Sequence, residues 1–272
     1  MPVNEIEHLG FLGGGQMASA LAKGAVASGL FHNDALIFGE PSLAQQKKLA
    51  GDFPGCMIVA SAAELFPICS RIVLAVKPQI LKEIASHIRP LVHGNHLLIS
   101  IAAGITLSQL SDFFNSHKIV RVMPNTPAQI LESASGIAFG RDVSDSDREW
   151  TQKLLRSVGT VVHVSDSQLH AVTGLSGSGP AYVLLVIEAL SDGGVASGLA
   201  RDVATQLAVQ TVLGTAKMVL ETGLHPAVLR DQVTSPGGTT IAALQVLEQR
   251  GVRSALMDAV KAATNRSREL AS

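Results

Sequence analysis

Six residues late in the chain, Ser235-Pro236-Gly237-Gly238-Thr239-Thr240, place hydroxyl groups on a segment built to turn. Proline and paired glycines force the turn. The apolar spacing of Ile241, Leu244, Val246 and Leu247 behind it predicts a helix. Thr239 and Thr240 are thereby delivered to a helix N-terminus, where unpaired N–H groups and the positive end of the helix dipole face outward. Such a place takes an anion, and a carboxylate would serve. The hydroxyls add directional donors and acceptors but no strong acid or base. Read alone, the plainer account is an ordinary N-cap in which one Thr bonds its own helix.

The other end of the chain adds a second chemistry. An apolar strand from Ile6 to Leu12 runs into Gly13-Gly14-Gly15-Gln16-Met17-Ala18, and a helical pattern through Leu21, Ala22, Ala25 and Val26 follows. In this order Gly13 permits a tight turn, Gly15 lets backbone approach a pyrophosphate, and Ala18 lets helix pack on strand. The expected ligand is a dinucleotide, NADPH or NADH. Glu40 ends the second strand and would read the adenosine ribose, since a carboxylate accepts from a 2′-hydroxyl and repels a 2′-phosphate. The competing arrangement turns Glu40 outward and lets Ser42, Lys47 or Lys48 meet the phosphate.

Three further loops close strands on the side where parallel sheets bind ligands. They are Ala75-Val76-Lys77-Pro78, Ser100-Ile101-Ala102-Ala103-Gly104 and Met123-Pro124-Asn125-Thr126-Pro127. Small or rigid residues there suit a flat ring and its ribose, and Lys77 is read as turned toward phosphate or solvent. Leu175 to Tyr182 reads as a loop opening a helix, with Ser178 as its cap and Pro180 in its first turn. No cluster of His and Cys has metal-ligand spacing, so no metal is expected.

The elements that must position these residues follow from periodicity. Short runs rich in Val, Ile and Leu at Ala35–Gly39, Met57–Ala60, Arg71–Val76, His96–Ile101 and Lys118–Met123 alternate with longer helical stretches. That alternation implies βαβ units and a parallel sheet. Ala134–Phe139 and Thr160–Val164 extend the sheet, joined by a helix that Ser144-x-x-Asp147 starts. After about residue 165 strand signals stop, and 182–195, 204–220, 241–246 and 253–270 read as helices. The expected class is α/β: a Rossmann dinucleotide-binding domain over 1–164, then an all-α domain over 165–272. Stripes such as Val183, Val186, Ile187 and Leu190 are too extensive for so small a domain to bury alone, which predicts a homodimer.

Bulk properties narrow the partners. With 47% hydrophobic and 16% charged residues the chain is globular, and a net charge of -1 argues against nucleic acid or an anionic membrane. No uninterrupted apolar run reaches the ~18 residues of a spanning helix. Glu5 and Glu7 replace the basic start of a signal peptide, and Cys56 and Cys69 form no CxxC pair. A cytoplasmic protein with reduced thiols is expected.

With these residues in hand, the chain resembles the pyrroline-5-carboxylate reductase family over nearly its whole length. The resemblance rests on Gly10 to Ala18, Ala75 to Pro78, Ser100 to Gly104, Asn125-Thr126-Pro127, Thr173 to Tyr182 and Pro226 to Glu248. It implies hydride transfer from NAD(P)H to the C=N bond of pyrroline-5-carboxylate, the last step of proline biosynthesis, in a dimer that often assembles into a decamer of five dimers. By analogy Gly13, Gly14, Gly15, Gln16, Met17, Ala18, Ala75, Val76, Lys77, Pro78, Ile101, Ala102 and Ala103 hold the cofactor. Ser235, Gly237, Gly238, Thr239 and Thr240 hold the substrate, with Thr240 at the ring nitrogen as the catalytic hydroxyl, and Asp166 adds a substrate-side carboxylate. Glu40 departs from the family, whose well-known members carry a small polar residue there. Two rivals stand beside this reading. A β-hydroxyacid dehydrogenase shares the two-domain plan but needs a Lys early in the second domain, and none lies between Lys153 and Lys217. A nucleotide-binding protein without turnover would not need the Ser235–Thr240 segment.

Overall fold

The computed structural model describes residues 7–271. Strands and helices alternate first: β1 (Leu9–Leu12), α1 (Gln16–Ala27), β2 (Leu36–Gly39), α2 (Leu43–Asp52), β3 (Met57–Val59), α3 (Ala62–Leu65), β4 (Arg71–Leu74), α4 (Pro78–Ile88), β5 (Leu97–Ser100), α5 (Leu107–Phe114), β6 (Ile119–Met123), β7 (Ser133–Phe139), α6 (Asp145–Arg156) and β8 (Gly159–His163). Helices follow: α7 (Leu169–Val172), α8 (Gly179–Ala196), α9 (Arg201–Thr222), α10 (Pro226–Gln232), α11 (Thr239–Gln249) and α12 (Val252–Glu269). The first strand begins at Leu9, and Ile6 lies outside the described residues.

The strands form one sheet in the order β3-β2-β1-β4-β5-β6-β7-β8. Every neighbouring pair is parallel except β6 and β7. The first six reproduce the 3-2-1-4-5-6 order of dinucleotide-binding sheets, with the topological switch between β1 and β4. β1, β2 and β5 are buried at every position, which is why they read as continuous apolar runs rather than alternating ones. The Ser144 start of α6 holds: its hydroxyl accepts from Asp147 N–H at 3.1 Å and donates to the Asp147 carboxylate at 2.8 Å.

Two compact units result, one comprising residues through Ser178 and again from Ala262, the other Gly179–Lys261. The boundary therefore falls at 178/179 rather than at the expected 164/165, and the first unit is discontinuous. The cause is α7, whose Leu169 and His170 are buried. Val172 sits so close to β7 that a Cβ on Gly136 would come within 2.8 Å of it. The segment expected as a loop capped by Ser178 is also different. Thr173–Gly177 is a π turn, with Ser178 N–H donating to the Thr173 carbonyl at 2.8 Å. A π turn absorbs an extra residue without ending the helix, and such turns concentrate at functional sites.

The second unit leaves much apolar surface uncovered. In α8 only Ser191 is buried, and in α9 only Ala204 and Ala208. Leu184 and Leu185 stand 65% and 67% exposed. Asp166–Ala196 and Arg201–Thr222 are long and apolar enough on average to cross a membrane, although neither is an uninterrupted apolar run.

Candidate active site

The glycine turn after β1 has the stereochemistry a dinucleotide requires. Gly13 has φ +96°, and a Cβ there would meet Val76 Cγ1 at 2.9 Å, so the β1 and β4 exits touch. A Cβ on Gly14 would strike Leu49 at 2.4 Å, whereas one on Gly15 would meet nothing within 4 Å. The space over Gly15 is open, and Gly15 is the N-cap of α1 with no side chain capping it. First-turn N–H groups from Gln16 onward are left to face that space, as a pyrophosphate needs. Ala18 is buried, keeping α1 close to the sheet.

Beside this turn lies an apolar crevice of about 360 Å³ whose walls include Leu12, Gly39, Pro41, Ala60, Val76 and Ile80. Its place at the carboxyl ends of β1, β2, β3 and β4 suits an adenine. Glu40 stands between crevice and turn. One carboxylate oxygen accepts from Gly14 N–H at 2.9 Å and the other from Ser42 N–H at 2.9 Å. Glu40 therefore faces the turn, not solvent. Gln45 donates to the Gly14 carbonyl and Gln46 to the Glu40 carbonyl, the latter at 2.6 Å, so α2 holds both loops. Among the crevice residues Ala60, Ser61, Ile80 and Ile84 were not expected from sequence, since they carry no signal beyond apolarity.

The other strand exits fall in line. Pro78 is the first residue of α4 and Lys77 its exposed N-cap. Ile101, Ala102 and Ala103 follow β5, and Gly104 takes φ +71°. Asn125, 8% exposed, joins three segments: its amide donates to the Ser176 carbonyl at 3.1 Å, and its oxygen accepts from Ser133 Oγ and Ala134 N–H. Asn125 thus partners a carbonyl inside the π turn.

Asp166, expected on the substrate side, is held by two partners within the first unit. Its Oδ1 pairs with Arg121 at 2.7 Å and its Oδ2 accepts from Leu107 N–H at 3.1 Å. Arg121 is only 3% exposed, so its charge needs this partner. No sequence pattern signals the pairing, because the two residues are far apart in the chain. Nearby, His170 shares a hydrogen bond of 2.9 Å with Ser267. Burial, then the Arg121 charge, lowers the His170 pKa below 6.5, and burial likewise lowers that of His96. Both rings fold neutral. In the unfolded chain they take up protons below about pH 6.5, so stability present above that pH is lost as pH falls toward the folded values. The unfolding free energy, and with it the urea midpoint, should be lower at pH 5.5 than at pH 7.5, and the drop should be smaller in His96→Gln. An identical drop in that variant would remove His96 from the account. Cys69, pushed up to about 12 by burial, is a thiol and no nucleophile.

The second unit presents the other half of the expected chemistry. Gly238 is the N-cap of α11 and no side chain caps that helix, so the plain N-cap account of the threonines does not hold. Thr239 and Thr240 occupy its first turn. Gly237 takes φ +66°, and a Cβ on Gly238 would hit Ser235 Oγ at 2.3 Å. The positive φ makes Gly237 a requirement of the turn, whereas a Cβ at Gly238 would have to push the Ser235 hydroxyl aside. Among the described residues no group of three or more His, Cys, Asp or Glu could hold a metal ion.

Comparisons with known proteins agree with this layout. The family model "pyrroline-5-carboxylate reductase dimerisation" matches residues 166–270, and "NADP oxidoreductase coenzyme F420-dependent" matches 8–104. Pyrroline-5-carboxylate reductase of Pisum sativum is 44% identical over 96% of this chain and 95% of its own. The crystal structure of Plasmodium falciparum pyrroline carboxylate reductase with NADP bound superposes with a TM-score of 0.88 at 34% identity, covering 98% of this chain and 99% of that one. That of Coxiella burnetii pyrroline-5-carboxylate reductase gives 0.91 at 34%, with the same coverage. An NAD(P)-binding sheet with an open glycine turn, an uncapped α11 and full-length identity of this order place the chain in the pyrroline-5-carboxylate reductase family.

Proposed function

We propose that the protein reduces 1-pyrroline-5-carboxylate to L-proline with NADPH or NADH, the last step of proline biosynthesis. The observation that carries this reading is the α11 N-terminus, which offers N–H groups and hydroxyls but no strong acid or base. A protonated imine is already an electrophile, so the site needs only to hold it. Ser235, Thr239 and the first-turn N–H groups bind the carboxylate, Gly237 and Gly238 make room for it, and the Thr240 hydroxyl meets the ring nitrogen. Bound NAD(P)H supplies the hydride. Positioning of this kind contributes about 7–11 kcal/mol to such reactions. Gly13 to Ala18 hold the pyrophosphate, while Ala75 to Pro78 and Ile101 to Ala103 flank the nicotinamide and its ribose.

A second copy of the chain, not a lipid bilayer, covers α8 and α9 in this reading. The family match over 166–270 supports a dimer, and five such dimers would form the decamer. The protein works in the cytoplasm. Mixing it with NADPH and pyrroline-5-carboxylate and following absorbance at the nicotinamide band tests the activity. No decay would leave a nucleotide-binding protein without turnover. Thr240→Ala should lower kcat/KM for the imine by about 10- to 100-fold, the loss of one hydrogen bond to a charged group, with cofactor affinity unchanged. Wild-type kinetics in that variant would take Thr240 out of the reaction.

A further inference from the structure

Resting on the cofactor reading above, we propose that Glu40 sets cofactor choice and that the enzyme prefers NADH to NADPH. A 2′-phosphate on the adenosine ribose would need donors at the β2–α2 connection, where the start of α2 offers backbone N–H groups. In this chain a carboxylate built into the fold already takes Ser42 N–H, and its other oxygen takes Gly14 N–H in the pyrophosphate turn. Those two donors are taken, and the Glu40 carboxylate sets a negative charge beside the first turn of α2.

The same carboxylate suits a free ribose diol. An ionised carboxylate has about four lone-pair sites. The two backbone bonds use two of them, leaving acceptors for the 2′- and 3′-hydroxyls. A phosphate has no proton to give at neutral pH beyond its weakly acidic second one, and meets repulsion instead. Gly39 and Pro41, on either side of Glu40, line the apolar crevice, so a base seated there brings its ribose to the carboxylate. The Gln46 bond to the Glu40 carbonyl and the Gln45 bond to Gly14 fix the backbone on both sides. Rotating Glu40 away to admit a phosphate would break two hydrogen bonds.

The test reads binding without substrate, so it stands or falls separately from imine reduction. Nicotinamide fluorescence titration should give a Kd for NADH about tenfold or more below that for NADPH. Glu40→Ser should close or reverse the gap, chiefly by tightening NADPH. Equal or tighter binding of NADPH by the wild type, or an unchanged ratio in Glu40→Ser, would overturn the proposal and leave Lys47 or Lys48 as the phosphate contact. If the variant loosens the glycine turn and weakens both cofactors, calorimetry on the wild type decides. Adenosine 5′-monophosphate should then bind more tightly than adenosine 2′,5′-bisphosphate, and the reverse order would refute the role of Glu40.

Discussion

Gly15→Val should abolish binding of both NADPH and NADH while leaving the protein folded. The two halves of this expectation come from one observation. A Cβ on Gly15 meets no atom within 4 Å, so nothing in the fold resists the substitution. Gly15 has φ -67° and ψ -178°, an extended conformation that a β-branched residue adopts readily. The branched side chain would instead occupy the open space over the first turn of α1, where the pyrophosphate must lie against the N–H groups. Affinity should fall by at least about 100-fold, the scale of losing several charge-assisted hydrogen bonds at once. Fluorescence titration measures it, and circular dichroism with a thermal melt checks the fold. Gly14→Val serves as the contrast. There the new side chain would collide with Leu49, so stability should fall as well. Unchanged NADPH affinity in Gly15→Val would mean that this turn is not the phosphate site.

The paired substitution Leu184→Asp/Leu185→Asp should dissociate the protein into monomers and lower its melting temperature by many degrees. Consecutive residues on a helix point about 100° apart, so a partner that covers α8 buries at least one of them. Each Leu contributes about 1.5–3 kcal/mol when fully buried. An aspartate in its place loses that and adds an unpaired buried charge, which costs several kcal/mol more. An 18-residue helix with Ser191 as its one buried residue is poorly held by its own chain. The monomer should therefore be less ordered in the second unit as well as inactive. Sedimentation and the thermal melt report both effects. A double variant that sediments and melts like the wild type would show that no second copy lies on α8.

The centre of the sheet was legible because strands such as β1, β2 and β5 are buried on both faces. Short runs rich in Val, Ile or Leu located the first six strands, and Ala134–Phe139 and Thr160–Val164 the two beyond them, with ends off by one to a few residues. Hairpin geometry of β6 and β7 could not be read, since the 3-10 turn at Thr126–Ile130 looks like any proline-stiffened loop. α10 was missed although its signal was present: Pro226 holds the first helical position and His225 caps Ala227 N–H. The π turn was not legible, because Gly174, Ser176 and Gly177 carry the composition of a loop. The glycine turn and the α11 segment were readable since each is contiguous: Gly13 and Gly237 take positive φ, Gly14 packs against Leu49, and Gly15 leaves open space. The apolar crevice beside the glycine turn and the Arg121–Asp166 pair were not, for they join residues that only the folded sheet brings together. Whether Glu40 faced inward depended likewise on Gly14 N–H, which sequence spacing does not orient.

The discontinuity of the first unit bears on how the protein would respond to a protease. Its final residues return to it: Ser267 bonds His170, Gln109 donates to the Ala271 carbonyl at 2.8 Å, and Leu270 lies under Gly104. A nick anywhere between Gly179 and Lys261 would not free a nucleotide-binding fragment. Both pieces would still share one folded body and co-purify until denatured. A truncation stopping at 164 or 178 would be worse off than a nicked chain, because the loop that follows β5 would lose the helix end packed beneath it.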